Sequence, residues 1–157
     1  MNTKEVIEHI KNWISQYHSN SSTNGYVIGI SGGIDSALTS TLVAETGIPL
    51  LCIEMPINQN KKHVSRGKNH ITWLKKNYKN ISSLECNLTG IFEQFKSLSS
   101  EKNNNKLLAL ANTRSRLRMT TLYYYAQLNN ALVVGTGNKV EDFGIGFYTK
   151  YGDGGVD

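Results

Sequence analysis

Gly29-Ile30-Ser31-Gly32-Gly33-Ile34-Asp35-Ser36 is the stretch on which the reading of this chain turns. Tyr26-Val27-Ile28 ahead of it reads as the end of a buried strand, and Ala37 to Glu45 after it carries helix-forming residues at helical spacing. The glycine-rich segment therefore falls at a helix N-terminus. There, unpaired backbone N–H groups and the helix dipole favour a phosphate, and Gly32 and Gly33 remove the Cβ atoms that would hold an oxyanion away. Ser31 and Ser36 add hydroxyl donors, and Asp35 adds a carboxylate able to hold Mg²⁺. The alternative is a serine- and glycine-rich turn that merely caps a structural helix.

A Walker A loop needs GxxxxGK[ST], and neither that spacing nor its lysine is present, which argues against a kinase-like or GTPase-like site. The segment instead resembles the SGGxDS loop of the ATP pyrophosphatases, which cleave ATP to AMP and pyrophosphate while adenylylating an acceptor.

Working outward, Val6, Ile7, Ile10, Trp13, Ile14 and Tyr17 predict an opening amphipathic helix. Strands are expected near 26–30, 49–55, 82–86 and 131–135, with helices near 35–45, 62–75 and 107–127. Short apolar strands alternating with helices imply an α/β fold, a doubly wound parallel sheet with helices on both faces. Ligands of such sheets bind beyond the carboxyl ends of the strands at a topological switch point. The two loops that look chemical, after Ile30 and after Gly135, both leave strands at that edge. Asn103-Asn104-Asn105, flanked by Glu101, Lys102 and Lys106, reads as a short polar linker or mobile loop.

The 157 residues suit one domain, and 39% hydrophobic content with 18% charged residues is ordinary for a globular protein. No apolar run reaches membrane-spanning length and no secretory leader is evident, so a cytoplasmic location without membrane attachment is expected. The net charge of +5 fits a handler of polyphosphates and also a weak nucleic-acid binder. Lys61, Lys62, Lys68, Lys75, Lys76 and Lys79 lack the aromatic interleaving of a single-strand platform, so they read as a solvated helix face and no nucleic acid is expected. Cys52 and Cys86 form neither a CxxC pair nor a nucleophile pattern, and His9 and His18 lack metal-spaced partners.

The long helix contains Asn112-Thr113-Arg114-Ser115-Arg116-Leu117-Arg118-Met119. Two residues turn a helix by about 200°, so Arg114 and Arg118 share one face while Asn112 and Arg116 share the nearly opposite one. They cannot serve one ligand equally. Further on come Val133-Val134-Gly135-Thr136-Gly137-Asn138-Lys139-Val140-Glu141 and Phe147-Tyr148-Thr149-Lys150-Tyr151-Gly152-Asp153-Gly154-Gly155-Val156-Asp157. Taken in order with the SGGIDS loop, these motifs closely resemble the NAD synthetase family, and the resemblance covers essentially the whole chain.

That resemblance implies an adenine nucleotide alpha hydrolase-like, Rossmann-like fold and an ammonia-dependent ligase. ATP would adenylylate the nicotinate carboxylate of deamido-NAD with loss of pyrophosphate, and ammonia would then displace AMP. It also implies that Gly29, Ile30, Ser31, Gly32, Gly33, Ile34, Asp35, Ser36 and Thr136 contact ATP, and that Asp35 and Glu141 hold Mg²⁺. Arg116, Lys150 and Asp157 would contact deamido-NAD, with Asp153 or Asp157 as catalytic helpers in handling ammonia. Lys150 lies one residue further from Thr136 than the lysine of many members, which a one-residue insertion around Asp142–Gly146 accounts for. Family members are homodimers, so a homodimer is expected. The chain stops where members continue, so 1–157 is expected to be a single domain incomplete at its C-terminus. The short segment ahead of the loop leaves no room for a glutamine amidotransferase domain, making free ammonia the expected nitrogen donor. The rival readings are another ATP pyrophosphatase, of GMP synthetase or tRNA-thiolation type, and a non-catalytic ATP-binding module.

Overall fold

A computed structural model describes residues 2–59, 61–98, 105–146 and 148–157, with backbone alone at 61–64. Its elements in chain order are α1 (Thr3–Ser19), β1 (Gly25–Gly29), α2 (Ile34–Glu45), β2 (Leu50–Glu54), α3 (Lys61–Asn77), β3 (Ile81–Glu85), α4 (Thr89–Ser97), α5 (Lys106–Asn129) and β4 (Ala131–Val133). A π-helical turn, Val140–Ile145, follows.

The four strands form one parallel sheet in the order β3-β2-β1-β4, with Val27 paired to Leu51 on one side and to Val133 on the other. Alternation along the strands divides the core. Tyr26, Ile28, Ile30, Leu50 and Cys52 pack against Ile14 of α1, Leu42, Val43 and Ala44 of α2, and Ile71 and Leu74 of α3. Val27, Ile53 and Val133 face the other way, onto Leu88, Phe92 of α4 and Ala126 of α5. Both faces are thus covered by helices, which explains the near-continuous apolar strands.

Handedness fixes where the site lies. The chain steps outward from β1 to β2 and β3 through α2 and α3, then returns past β1 to β4 through α4 and α5. Right-handed crossovers in opposite directions place the two helix sets on opposite faces, leaving the switch point between β1 and β4.

Several details depart from the expectations. Helix α4 was not anticipated: it is only nine residues long and its one apolar stripe is three residues, Phe92 fully buried and Ile91 and Phe95 about half exposed. Strand β4 ends at Val133 rather than Gly135; Val134 still donates to the Val27 carbonyl (2.9 Å), after which the chain turns away. Helix α5 runs to Asn129 and stops at Asn130, whose left-handed conformation (φ 47°) ends it in the usual way. The His18 ring lies 5.6 Å from that of Tyr26, with Nε2 shielded from solvent. Lys68 belongs to the lysine-rich face but pairs with Glu85 at 2.7 Å. Of the asparagine run, 103 and 104 lie outside the described residues, and Asn105 is the cap residue just before α5. No helix among the described residues is long and apolar enough to cross a membrane.

Candidate functional site

The loop from Gly29 to Ser36 leaves β1 at the centre of the sheet and enters α2. Gly32 takes the left-handed conformation (φ 81°) that a glycine adopts without strain. Ser36, only 2% exposed, ties the loop to itself: its hydroxyl donates to the Gly33 carbonyl (3.1 Å) and accepts from the Ser31 N–H (3.3 Å). The Ser31 hydroxyl in turn accepts from the Gly33 N–H at 3.1 Å. The first helical bond of α2 is Ala37 N–H to the Gly33 carbonyl, so the N–H groups of Ile34, Asp35 and Ser36 precede it. They have no partner among the described residues and point at the helix N-terminus, as an anion site requires.

A cavity of about 270 Å³ opens over this loop, lined by Ile30, Gly32, Gly33, Ile34, Ser36, Ala37, Arg66 and His70. Its far wall is α3. His70 Nε2 meets Ser40 Oγ at 2.8 Å, pinning α3 to α2, and burial lowers the His70 pKa. Ser40 Oγ also lies 3.1 Å from the Ala37 carbonyl, to which it can donate. Arg66 and His70 were not among the sequence-derived candidates. Their signal was an i,i+4 pair on a helix following β2, diluted by the surrounding lysines. Glu54, the last residue of β2, was also missed. Burial raises its pKa, with Lys68 opposing and Glu85 adding to the shift.

The arginines of α5 divide as the helical wheel requires. Arg118 is held inside, its Nε donating to the Met55 carbonyl (3.2 Å), and burial followed by the nearby Arg114 lowers its pKa. Arg114 lies 4.3 Å over the Phe92 ring. These two bind α5 to the core. On the opposite face, Arg116 Nε donates to the Lys150 carbonyl (3.2 Å) and Asn112 Oδ1 accepts from Thr149 Oγ1 (3.0 Å). Ser115 between them donates to Asp153 Oδ1 (2.6 Å) and accepts from the Asp153 N–H (2.8 Å).

The glycines near the C-terminal end have a packing reason. A Cβ on Gly152 would collide with Ser115, so the segment lies on α5 this closely because of that glycine, while one on Gly155 would sit tightly, 3.0 Å from Met119 Cγ. Asp157 then pairs with β4: its N–H donates to the Val133 carbonyl (3.2 Å), while its Oδ2 accepts the Val133 N–H (2.7 Å) and its Oδ1 the Tyr123 hydroxyl (3.3 Å). Arg116, Lys150, Asp153 and Asp157 are thereby gathered along one side of α5 and the end of β4. Lys150 is exposed, its Nζ 4.9 Å from the Tyr151 ring.

Thr136 follows β4, half-buried, and Glu141 lies in the π-helical turn, whose start is held by Asn138 Oδ1 accepting the N–H groups of Val140 (3.1 Å) and Glu141 (3.0 Å). A π turn holds one residue more than an α turn, the local geometry an inserted residue produces. Asp35 and Glu141 leave adjacent strands at the same sheet edge, and no hydrogen bond or ion pair among the described residues engages either carboxylate. No group of three or more His, Cys, Asp or Glu among the described residues converges on a metal position. Two hard oxygen donors on separate loops do suit Mg²⁺, which retains waters and takes phosphate oxygens for its remaining positions. No hydrogen bond or ion pair among the described residues links the 29–36 loop to the 148–157 segment.

Comparison with known proteins agrees with this geometry. A sequence profile of the family described as NAD synthase matches residues 6–157. The NH(3)-dependent NAD(+) synthetase of Carboxydothermus hydrogenoformans is 36% identical over 100% of this chain and 63% of its own length, and that of Methanosarcina acetivorans 39% over 97% and 57%. This chain thus spans about three fifths of the relatives it matches. Among solved structures, NMN synthetase from Francisella tularensis superposes with a TM-score of 0.89 at 34% identity, covering 100% of this chain and 63% of that one. An NH3-dependent NAD synthetase from Campylobacter jejuni superposes at 0.88 with 31% identity, covering 99% and 65%. With its parallel sheet, its SGGIDS cradle and a family match over nearly its full length, the chain belongs to the NAD synthase family.

Proposed function

We propose that this chain carries the ATP- and dinucleotide-binding half of the chemistry of an ammonia-dependent NAD synthetase. The observation that carries the reading is the placement of two built segments at one sheet edge. The Gly29–Ser36 cradle leaves β1 with unpaired N–H groups, and the Arg116–Lys150–Asp153 cluster lies on α5 beside the end of β4.

In the reaction, a nicotinate carboxylate oxygen attacks the α-phosphorus of ATP, the bridging bond to the β-phosphate breaks, and pyrophosphate leaves. Ammonia then adds to the acyl carbon, the C–O bond to AMP breaks, and a proton passes to solvent or a nearby carboxylate. The products are amide, AMP and pyrophosphate. The N–H groups of Ile34, Asp35 and Ser36 would stabilise charge on the leaving pyrophosphate without reorganising. Mg²⁺, held by Asp35 and Glu141, would neutralise phosphate charge and align the leaving group. Thr136, at the exit of β4, would contact ATP, and Arg116, Lys150 and Asp157 the dinucleotide. Of the two aspartates that could help with ammonia, Asp157 already uses both carboxylate oxygens, whereas Asp153 Oδ2 has no partner among the described residues.

Nucleotide chromatography tests the reading. The chain, and one extended to its relatives' length, are incubated with Mg-ATP, ammonium and either nicotinic acid adenine dinucleotide, nicotinic acid mononucleotide or xanthosine monophosphate. NAD and AMP formed in equal amounts from the dinucleotide supports it, and consumption of xanthosine monophosphate instead sinks it. The mononucleotide arm is there because the similar Francisella structure is described as an NMN synthetase, whose acceptor carries the same nicotinate carboxylate. Asp35→Ala should abolish AMP formation in an enzyme while leaving adenosine binding intact. A homodimer is part of the proposal, supported by the apolar side chains that α5 leaves exposed at Leu107, Leu108, Tyr124 and Leu128. Sedimentation equilibrium checks it.

A further inference from the structure

The cradle poses a charge problem. Pyrophosphate is strongly anionic, yet residues 29–46 include Asp35 and Glu45 and no lysine or arginine. Backbone N–H groups are neutral donors, and the lysine that a Walker A loop would supply is absent. Besides Mg²⁺, any side-chain cation on the pyrophosphate has to come from another element.

Arg66 is the cation on the cavity wall, facing Gly32, Gly33 and Ser36 across about 270 Å³. Two contacts on α3 fix its position. Its neighbour Gly67 is buried and packs so closely that an added Cβ would lie 3.0 Å from Glu54 Oε1, 3.6 Å from Ile30 Cγ2 and 3.8 Å from the Gly32 nitrogen. Gly67 thus places the backbone of α3 close to the loop and to Glu54. One turn later, His70 bonds to Ser40 and clamps the same face of α3 to α2. Arg66 lies between these two anchors. It is exposed and forms no ion pair among the described residues, whereas Lys68, on another face of α3, is engaged by Glu85.

We propose that Arg66 is a binding residue for the leaving pyrophosphate, closing the cradle from the α3 side with the planar donors that suit phosphate oxygens. The inference rests on the ATP-cleaving reading of the loop and adds a residue to it.

The test is calorimetric titration of the whole chain with inorganic pyrophosphate in the presence of Mg²⁺. Arg66→Ala should weaken binding by about tenfold or more, the loss expected for a charge-assisted contact, and Arg66→Lys should fall between Arg66→Ala and wild type. Lys75→Ala removes one charge about 13 Å further along the same helix and should leave the affinity unchanged. The circular dichroism spectrum of each variant should match wild type. The inference is overturned if Arg66→Ala binds pyrophosphate like wild type, if Lys75→Ala loses as much, or if the wild-type chain does not bind it. NAD formation by an enzyme whose pyrophosphate affinity ignores Arg66 would sink this inference alone. Arg66-dependent pyrophosphate binding without any amidation would sink the synthetase reading alone.

Discussion

Removing the Ser115 hydroxyl should undock the C-terminal segment from α5 without unfolding the protein. Ser115→Ala deletes two hydrogen bonds, the 2.6 Å bond donated to Asp153 Oδ1 and the 2.8 Å bond accepted from the Asp153 N–H. A bond between neutral groups contributes about 0.5–1.5 kcal/mol and one to a charged group about 1.5–3. Both bonds are exposed to solvent, so water replaces part of what is lost and the lower ends apply, giving about 2 kcal/mol together. That corresponds to a shift of about 30-fold in the docking equilibrium of the segment. Hydrogen exchange reads it directly. The amides of Gly152 and Gly155 donate to Thr149 and Gly152 carbonyls that the substitution leaves in place, so faster exchange there reports undocking and not the deleted bonds. Exchange at both should accelerate by about an order of magnitude or more while amides within α5 keep their protection. Unchanged exchange at Gly152 and Gly155 would refute the claim that Ser115 and Asp153 hold this segment.

Phe92 is fully buried between α4 and the sheet with Arg114 stacked on it, so Phe92→Ala should cost about 3–5 kcal/mol and lower the urea midpoint by about 1.5 M. Burial lowers the His70 pKa in the folded protein, so the unfolded chain binds a proton first as the pH falls. The contribution of His70 is therefore complete above its unfolded value of about 6.5 and is lost as the pH drops below it towards the folded value. Urea midpoints at pH 7.5 and 5.5 should fall more for wild type than for His70→Gln; equal falls would contradict the assignment. Burial pushes the Cys52 thiol up to about 12, so at pH 8 a disulfide reagent should leave Cys52 unmodified until the protein is denatured, with Cys86, half-buried, reacting first.

Much of this molecule was legible along the chain because its signals are local. The strand preceding Ile30, the cradle, and the helix that begins at Ile34 follow one another without interruption, and each is specified by its own residues. The division of Arg114 and Arg118 from Asn112 and Arg116 also followed from the helical repeat alone, and the structure assigns the two faces to the core and to the C-terminal segment. Where the signal was weak, the reading failed. Helix α4 escaped because it is only nine residues long, carries Gly90 in its first turn and has a stripe of just three apolar residues, and β4 is shorter than its apolar run because Val156 packs against Gly135 where the strand would continue.

What the sequence by itself determined was the fold class and the family, since both rest on residue types and patterns at short spacings along the chain. Tertiary structure decided who shares the cavity. Arg66 and His70 come from a helix two elements away, and the burial of Ile71 and Leu74, with His70 on Ser40 and Gly67 close to the loop, brings them opposite Gly32. Likewise, that Asp157 spends its carboxylate on the Val133 amide and the Tyr123 hydroxyl could not be read from a motif. Spacing along a chain encodes contacts within a turn or a helix, whereas a contact across elements exists only once burial of the apolar faces has fixed how those elements pack.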